Sequence, residues 1–293
     1  MGDKIIKQTW KKELDEIIRG ASGGLLFGIP LVYTMEVWLI GSRVDSSLML
    51  LILLITYLVI FSLNSIEGFR RKKRKGWTDA ILESSEALAI GCCCASFTLL
   101  LLQKITPTTP LEEVLGKIIF ETVPFAIGTA LSRVLLDGEP KKSVSQEDTS
   151  GKKRGNKQQV QVNETLADIS ASFMGAMIVA FSIAPTDEVR VLAVTASPPW
   201  LIILMMASLL ISYMIVFAAG FTDQAKRRKQ QGLFQTPETE TVISYLIALF
   251  TSGLMLLFFQ QLNFDMPWFL WLQYTIILGL PAAIGGAAGR IAI

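Results

Sequence analysis

The sequence predicts an all-α polytopic membrane protein with eight transmembrane helices laid out as two parallel four-helix repeats. Three observations predict it. Of the 293 residues, 51% are hydrophobic, and the mean hydropathy is +0.48. The apolar residues gather into runs of about 20, the length a helix needs to cross roughly 30 Å of hydrocarbon. Short motifs of the first half recur at matching places in the second.

Residues 1–20 read as a charged amphipathic helix on the cytoplasmic side. The first membrane repeat covers 21–136, with spans near 21–41, 47–66, 80–103 and 115–136. Residues 137–163, rich in Lys, Gly, Ser and Gln, read as a solvated cytoplasmic linker. The second repeat covers 164–293, with spans near 166–184, 198–220, 240–261 and 267–291. No cleavable signal peptide is expected, because the first twenty residues are charged and lack a short apolar core.

Orientation follows from the basic residues. With the N-terminus inside, all of the 27 Lys and Arg but Arg43, Lys104, Lys117 and Arg190 fall at cytoplasmic ends. Basic residues favour the cytoplasmic face, so both termini are expected there. Trp10 and Trp77 then sit at the inner edge, and Trp38, Trp200, Trp268 and Trp271 at the outer edge.

The repeat is clearest in two places. Pro124, Ala126, Ile127, Gly128, Ala130 and Arg133 match Pro281, Ala283, Ile284, Gly285, Ala287 and Arg290. Thr34, Glu36 and Val37 match Thr186, Glu188 and Val189. The basic stretch Arg70–Lys75 corresponds to Lys226–Lys229. Four spans is an even number, so both copies face the same way, unlike inverted repeats.

The chain contains no histidine. That removes Ser-His hydrolases and His-ligated zinc enzymes, and with no convincing acidic dyad an enzyme is not expected. Cys92, Cys93 and Cys94 are consecutive in an apolar run, so they point in different directions and read as small helix residues.

Glu36 and Glu188 are the leading functional candidates, because a carboxylate in a membrane-length apolar run needs a partner, a cation or water. Asp187 stands beside Glu188 alone. At a helical period of 3.6, Glu36 shares a stripe with Val32, Ile29, Gly28, Leu25 and Ala21. Glu188 shares one with Ala184, Phe181, Ala180, Met177 and Phe173. Each stripe covers about 22 Å of helix. An acidic outer end above apolar rings suits a cation pore that gates by dewetting, although a packed helix face gives the same periodicity. Gly20, Gly24 and Gly28 form a small-residue ridge suited to close helix contact. Glu121, inside the fourth span, reads equally as an ion or proton relay and as a satisfied interhelical hydrogen bond. Glu83, Glu86, Glu240, Glu67 and Asp223 lie near inner ends and read as partners of the basic loops.

Leu25-Leu26-x-Gly28-x-x-x-Val32-x-x-x-Glu36-Val37-x-Leu39 resembles the pore helix of the Orai calcium-channel family. Asn64-Ser65-Ile66-Glu67 and the kink Val123-Pro124-Phe125 look like the same family. Pro30-Leu31-Val32-Tyr33-Thr34-Met35-Glu36-Val37-Trp38 also resembles the signature of a prokaryotic integral-membrane family. The Orai resemblance implies a selectivity ring of Glu36 and Glu188, an apolar gate at Leu25, Gly28, Ile29 and Val32, and by repeat at Met177, Phe181 and Ala184. It implies six pore helices, which three eight-span chains would supply as a homotrimer. The family's inner basic residue is replaced by Ala21 and Phe173, leaving Lys11, Lys12 and Arg19 as the nearest. The sequence stops at Ile293, so no helix is expected to receive an activating partner.

The expectation is a cation channel, Ca²⁺-selective or Ca²⁺-permeable, in a prokaryotic plasma membrane. Ca²⁺ is the expected permeant or bound ion, held by Glu36, Glu188 and Asp187. Membrane lipid is the expected partner, and nucleic acid is not. The alternative is a cation/proton secondary transporter using intramembrane carboxylates.

Overall fold

A computed structural model describes residues 2–66, 77–132, 157–218 and 237–291. The basic stretches 70–75 and 226–229, Glu67, Asp223, Arg133 and linker residues 137–156 lie outside them. Within the described residues the chain is helical and has no strand. In order the helices are α1 (Gly2–Val32), α2 (Met35–Gly41), α3 (Ser46–Ile66), α4 (Trp77–Leu101) and α5 (Leu111–Ala130). Then come α6 (Lys157–Ile183), α7 (Glu188–Thr195), α8 (Pro198–Tyr213), α9 (Pro237–Phe258) and α10 (Trp268–Ile291). A π-helical turn, Met214–Ala218, continues α8.

α1 runs as one helix from Gly2 to Val32, across residue 20. α6 starts at Lys157, ahead of residue 164.

Among the described residues, five helices are long and apolar enough to cross a membrane: α3, α4, α8 with its π turn, α9 and α10. The number is up to seven if each of two bent pairs is one span. The expected span at 115–136 corresponds to α5, which carries Glu112, Glu113, Lys117 and Glu121 among its 20 residues and is not among the seven.

The first bend corrects the single helix expected at 21–41, whereas the span expected at 166–184 lies along α6 up to Ile183 and the second bend follows it. α1 and α2 meet at 92°, and α6 and α7 at 90°. The causes are local. Thr34 takes an extended conformation, and its N–H closes a short turn on the Leu31 carbonyl at 2.9 Å. In the second half Pro185 follows the last turn of α6, and the residue before a proline is disfavoured in the α region. Thr186 caps that end, its hydroxyl donating to the Ile183 carbonyl at 2.6 Å.

The packing order is the same in each half. α5 packs against α1, α2, α3 and α4, and α10 packs against α6, α7, α8 and α9. α10 is the central element, with 72% of its apolar window buried, against 17% for α3, most of which is exposed on the outside of the chain. Glycines set the closest crossings. A Cβ on Gly23 would meet the Gly128 carbonyl oxygen at 2.6 Å, and Gly175 packs on Gly285 in the same way. Of the expected ridge, Gly24 faces Thr129 and Phe125, and Gly28 faces the Phe125 ring. α4 and α9 also end alike. Gln103 and Gln260 sit at φ 55° and 57°. The next N–H reaches back to Leu99 in one and Leu256 in the other. That is the 6→1 bond of a Schellman C-cap, with glutamine in the place glycine usually takes.

The halves join where α1 meets the π turn and α10. Across that seam the Tyr33 hydroxyl donates to the Ile277 carbonyl at 2.6 Å. Pro281 explains why this carbonyl is free: proline has no N–H to return to residue 277. Trp200 Nε1 donates to the Leu101 carbonyl at 2.7 Å. This bond ties the start of α8 to the end of α4, and Lys104, just beyond α4, lies over the Trp38 ring of α2, so both right-angle bends lie at one end of the molecule.

Candidate functional site

The bends create short helices, α2 and α7, each with a glutamate in its first turn. A carboxylate suits that place, because the first turn of a helix carries exposed N–H groups and partial positive charge. Glu36 is exposed. Glu188 is 9% exposed, and its Oε2 has no hydrogen-bond partner. Asp187 points outward and pairs with Arg190 at 3.7 Å.

The bend separates Glu36 from the apolar stripe it was expected to crown. α1 stops at Val32, so Leu25, Gly28, Ile29 and Val32 run along one axis and Glu36 sits on another. Glu188 is parted from Ala184 in the same way. The stripe is also filled from within. Leu25, Ile29 and Val32 lie in the chain's own core, and the Phe125 ring occupies the notch at Gly28. In the second half Ala180 and Ala184 are buried, Met177 is half-buried, and Phe181 is 53% exposed. Of the inner basic residues, Lys11 and Lys12 are exposed and Arg19 is buried.

Among the described residues, no three His, Cys, Asp or Glu side chains converge to hold a metal ion. Glu36, Glu188 and Asp187 therefore do not form a calcium cage within one chain.

Two lysines at the bent end have partners. Lys104 lies over the Trp38 ring, 4.3 Å from its centre. Lys117, though buried, donates to Glu113 Oε1 at 2.6 Å and to the Lys104 carbonyl at 2.9 Å. Gln273 Nε2 donates to the carbonyls of Ala193 and, at 2.9 Å, Ala196, fixing α7 against α10. Gln261 Nε2 reaches the Pro185 carbonyl at 3.4 Å, and its Oε1 is buried without a partner.

At the opposite end Glu240 pairs with Arg290, which is 1% exposed and stacks 5.5 Å from the Phe217 ring in the π turn. Glu240 thus finds a cation on α10. Glu83 is buried and Glu86 half-buried. Cys92, Cys93 and Cys94 are free, and their exposures differ as expected for consecutive helix positions.

Glu121 does not make the interhelical hydrogen bond that one reading of its sequence context expected. It is fully buried in α5, and neither carboxyl oxygen has a hydrogen-bond partner. Two residues of consequence had escaped the sequence reading. Tyr33 had a signal, since it stands at the helix break, and Pro281 marked a free carbonyl, but nothing local joins positions 244 apart. Gln261 had none.

A bundle of apolar helices with carboxylates at its bends is the architecture of a polytopic integral membrane protein. The family model DUF2391, described as "Putative integral membrane protein", matches residues 16–293, and the chain belongs to that family. No curated protein and no solved structure matches it.

Proposed function

We propose that this protein moves a cation across the membrane by secondary transport, built from two parallel four-helix repeats with both termini cytoplasmic. The observation that carries the reading is the paired right-angle bend, which sets Glu36 and Glu188 at one end of the molecule. Interrupted helices at corresponding places in two halves mark ion sites in transporters, where helix ends and carboxylates meet the cargo. The repeat is supported by matched neighbours of α5 and α10 and by twin caps at Gln103 and Gln260. Basic residues away from that end favour placing it outside the cell.

Packing favours a transporter over an open channel. Leu25, Ile29 and Val32 meet their own chain, and a pore shared by several chains would need them on an outer face. A calcium channel formed by a homotrimer is the second reading. Phe181 and Met177 favour it, being the stripe residues still open to a neighbour.

The test is flux into liposomes holding the purified protein. An imposed proton gradient should drive saturable uptake of a cation, with Ca²⁺ and Na⁺ tried first. Glu36→Gln combined with Glu188→Gln should lower uptake about tenfold or more, as expected when charges that meet the ion are removed. Uptake unchanged by the pair of substitutions would overturn the assignment. Single-channel currents from a three-chain assembly would establish the second reading instead.

A further inference from the structure

Within the described residues Glu121 is a carboxyl whose two oxygens are both buried and both unbonded. The described residues of the helices packed on it supply no free cation. Lys117, one turn outward on α5, already serves Glu113 and the Lys104 carbonyl. α1 carries no charge between Arg19 and the break at Tyr33, and α4 none between Glu86 and Lys104. α3 has none from Ser46 to Ile66, and Glu36 on α2 is exposed. The other acids of α5 are Glu112 and Glu113, in its first turn.

A second observation points to a missing ligand. Pro124 cannot return an N–H to the Phe120 carbonyl, so an acceptor next to Glu121 lacks its helical donor. The second half has the same gap at Ile277 and Pro281, and there the Tyr33 hydroxyl closes it. In the Thr34/Thr186 register the residue matching Tyr33 is Pro185, which has no donor to offer. Packing does not require the carboxyl either: Leu278 fills the matching place in α10 and is fully buried. One turn of α5 thus holds a buried, unbonded carboxyl beside a carbonyl without its helical donor, where a proton or cation is wanting.

We propose that Glu121 is a proton-binding site that exchanges its proton for the transported cation, one site per chain. In the loaded-with-proton form the carboxyl is neutral and tolerates burial. When a cation arrives, the O–H bond breaks and the proton passes to water. The carboxylate and the Phe120 carbonyl then hold the cation. This deepens the transport reading and rests on it for the cargo, though not for the proton.

The experiment uses the full chain in liposomes and dicyclohexylcarbodiimide, which adds to protonated carboxyls in apolar surroundings. Mass spectrometry should locate the adduct at Glu121. Labelling should fall roughly tenfold between pH 6 and pH 9 and fall again when Ca²⁺ or Na⁺ is added. The adduct should be absent from Glu121→Gln and present in Glu121→Asp and in the Glu36→Gln, Glu188→Gln protein. No adduct at Glu121 at either pH, or labelling indifferent to both pH and cations, would overturn the site. Proton-coupled uptake should vanish in Glu121→Gln and persist in Leu278→Ala. Normal labelling and cation protection in a protein that carries no flux would uphold the site and sink the transport reading alone.

Discussion

Lys104 sits in the loop after α4 with its ammonium over the Trp38 ring, a contact that favours the charged form. Burial opposes it, and the neighbouring Lys117 ammonium adds repulsion. Together they win, and the group is lowered to about 8 from an ordinary 10.5. The sign of the pH effect follows. Between those values the unfolded chain keeps a proton that the folded chain has released, so stability rises with pH across that window. Lys104 should therefore acylate half-maximally near pH 8, read by peptide mass spectrometry as rate against pH. Lys117→Met should move that midpoint upward. A midpoint left near 10.5 in the unaltered protein would contradict the account. Both lysines stood out in the sequence as basic residues on the wrong side of the membrane. Their partners did not, because Trp38 lies 66 positions from Lys104 and reaches it only through the bend at Thr34.

At the scale of elements, the helices were largely readable and their bends were not. Apolar runs of about 20 residues announce spans whatever their neighbours do. A right angle after Val32 depends on one extended residue, Thr34, inside an otherwise helical pattern. Pro185 was a fairer warning in the second half. The glycines test how the elements cross. Gly23→Ala would drive a methyl into the Gly128 carbonyl and the Ser132 backbone, forcing α1 and α5 apart. It should destabilise by about 1–3 kcal/mol, seen as a lower melting temperature in detergent. Gly253 in α9 is the opposite case. Its nearest neighbour to an added methyl would be Thr275 Oγ1 at 3.7 Å, ordinary contact. Gly253→Ala should stabilise by about 0.5–1 kcal/mol through helix propensity. Equal effects of both substitutions would show that the crossings are looser than this packing requires.

For the whole molecule, the seam between the halves hangs on a bond that no local pattern foretells. Tyr33→Phe would leave the Ile277 carbonyl without a donor inside the bundle. Hydrogen bonds between membrane helices average somewhat under about 1 kcal/mol, and the loss should be of that order. Pro281→Ala gives α10 back its own N–H, so the cost of Tyr33→Phe should shrink in that background. Melting curves of the four proteins form the cycle, and a cost unchanged by Pro281→Ala would rule out the freed carbonyl as the reason for the bond. By itself the sequence determined the class of molecule, most of its helices and the motif match between Glu36 and Glu188. Those follow from composition, run length and repeated motifs, which are local properties. Only the tertiary structure decided that the apolar stripe is core, that Glu36 lies around a corner from it, and that Glu121 is buried with no partner. Each depends on which helix faces which, and that is settled by close glycine crossings and freed carbonyls between residues far apart in the chain.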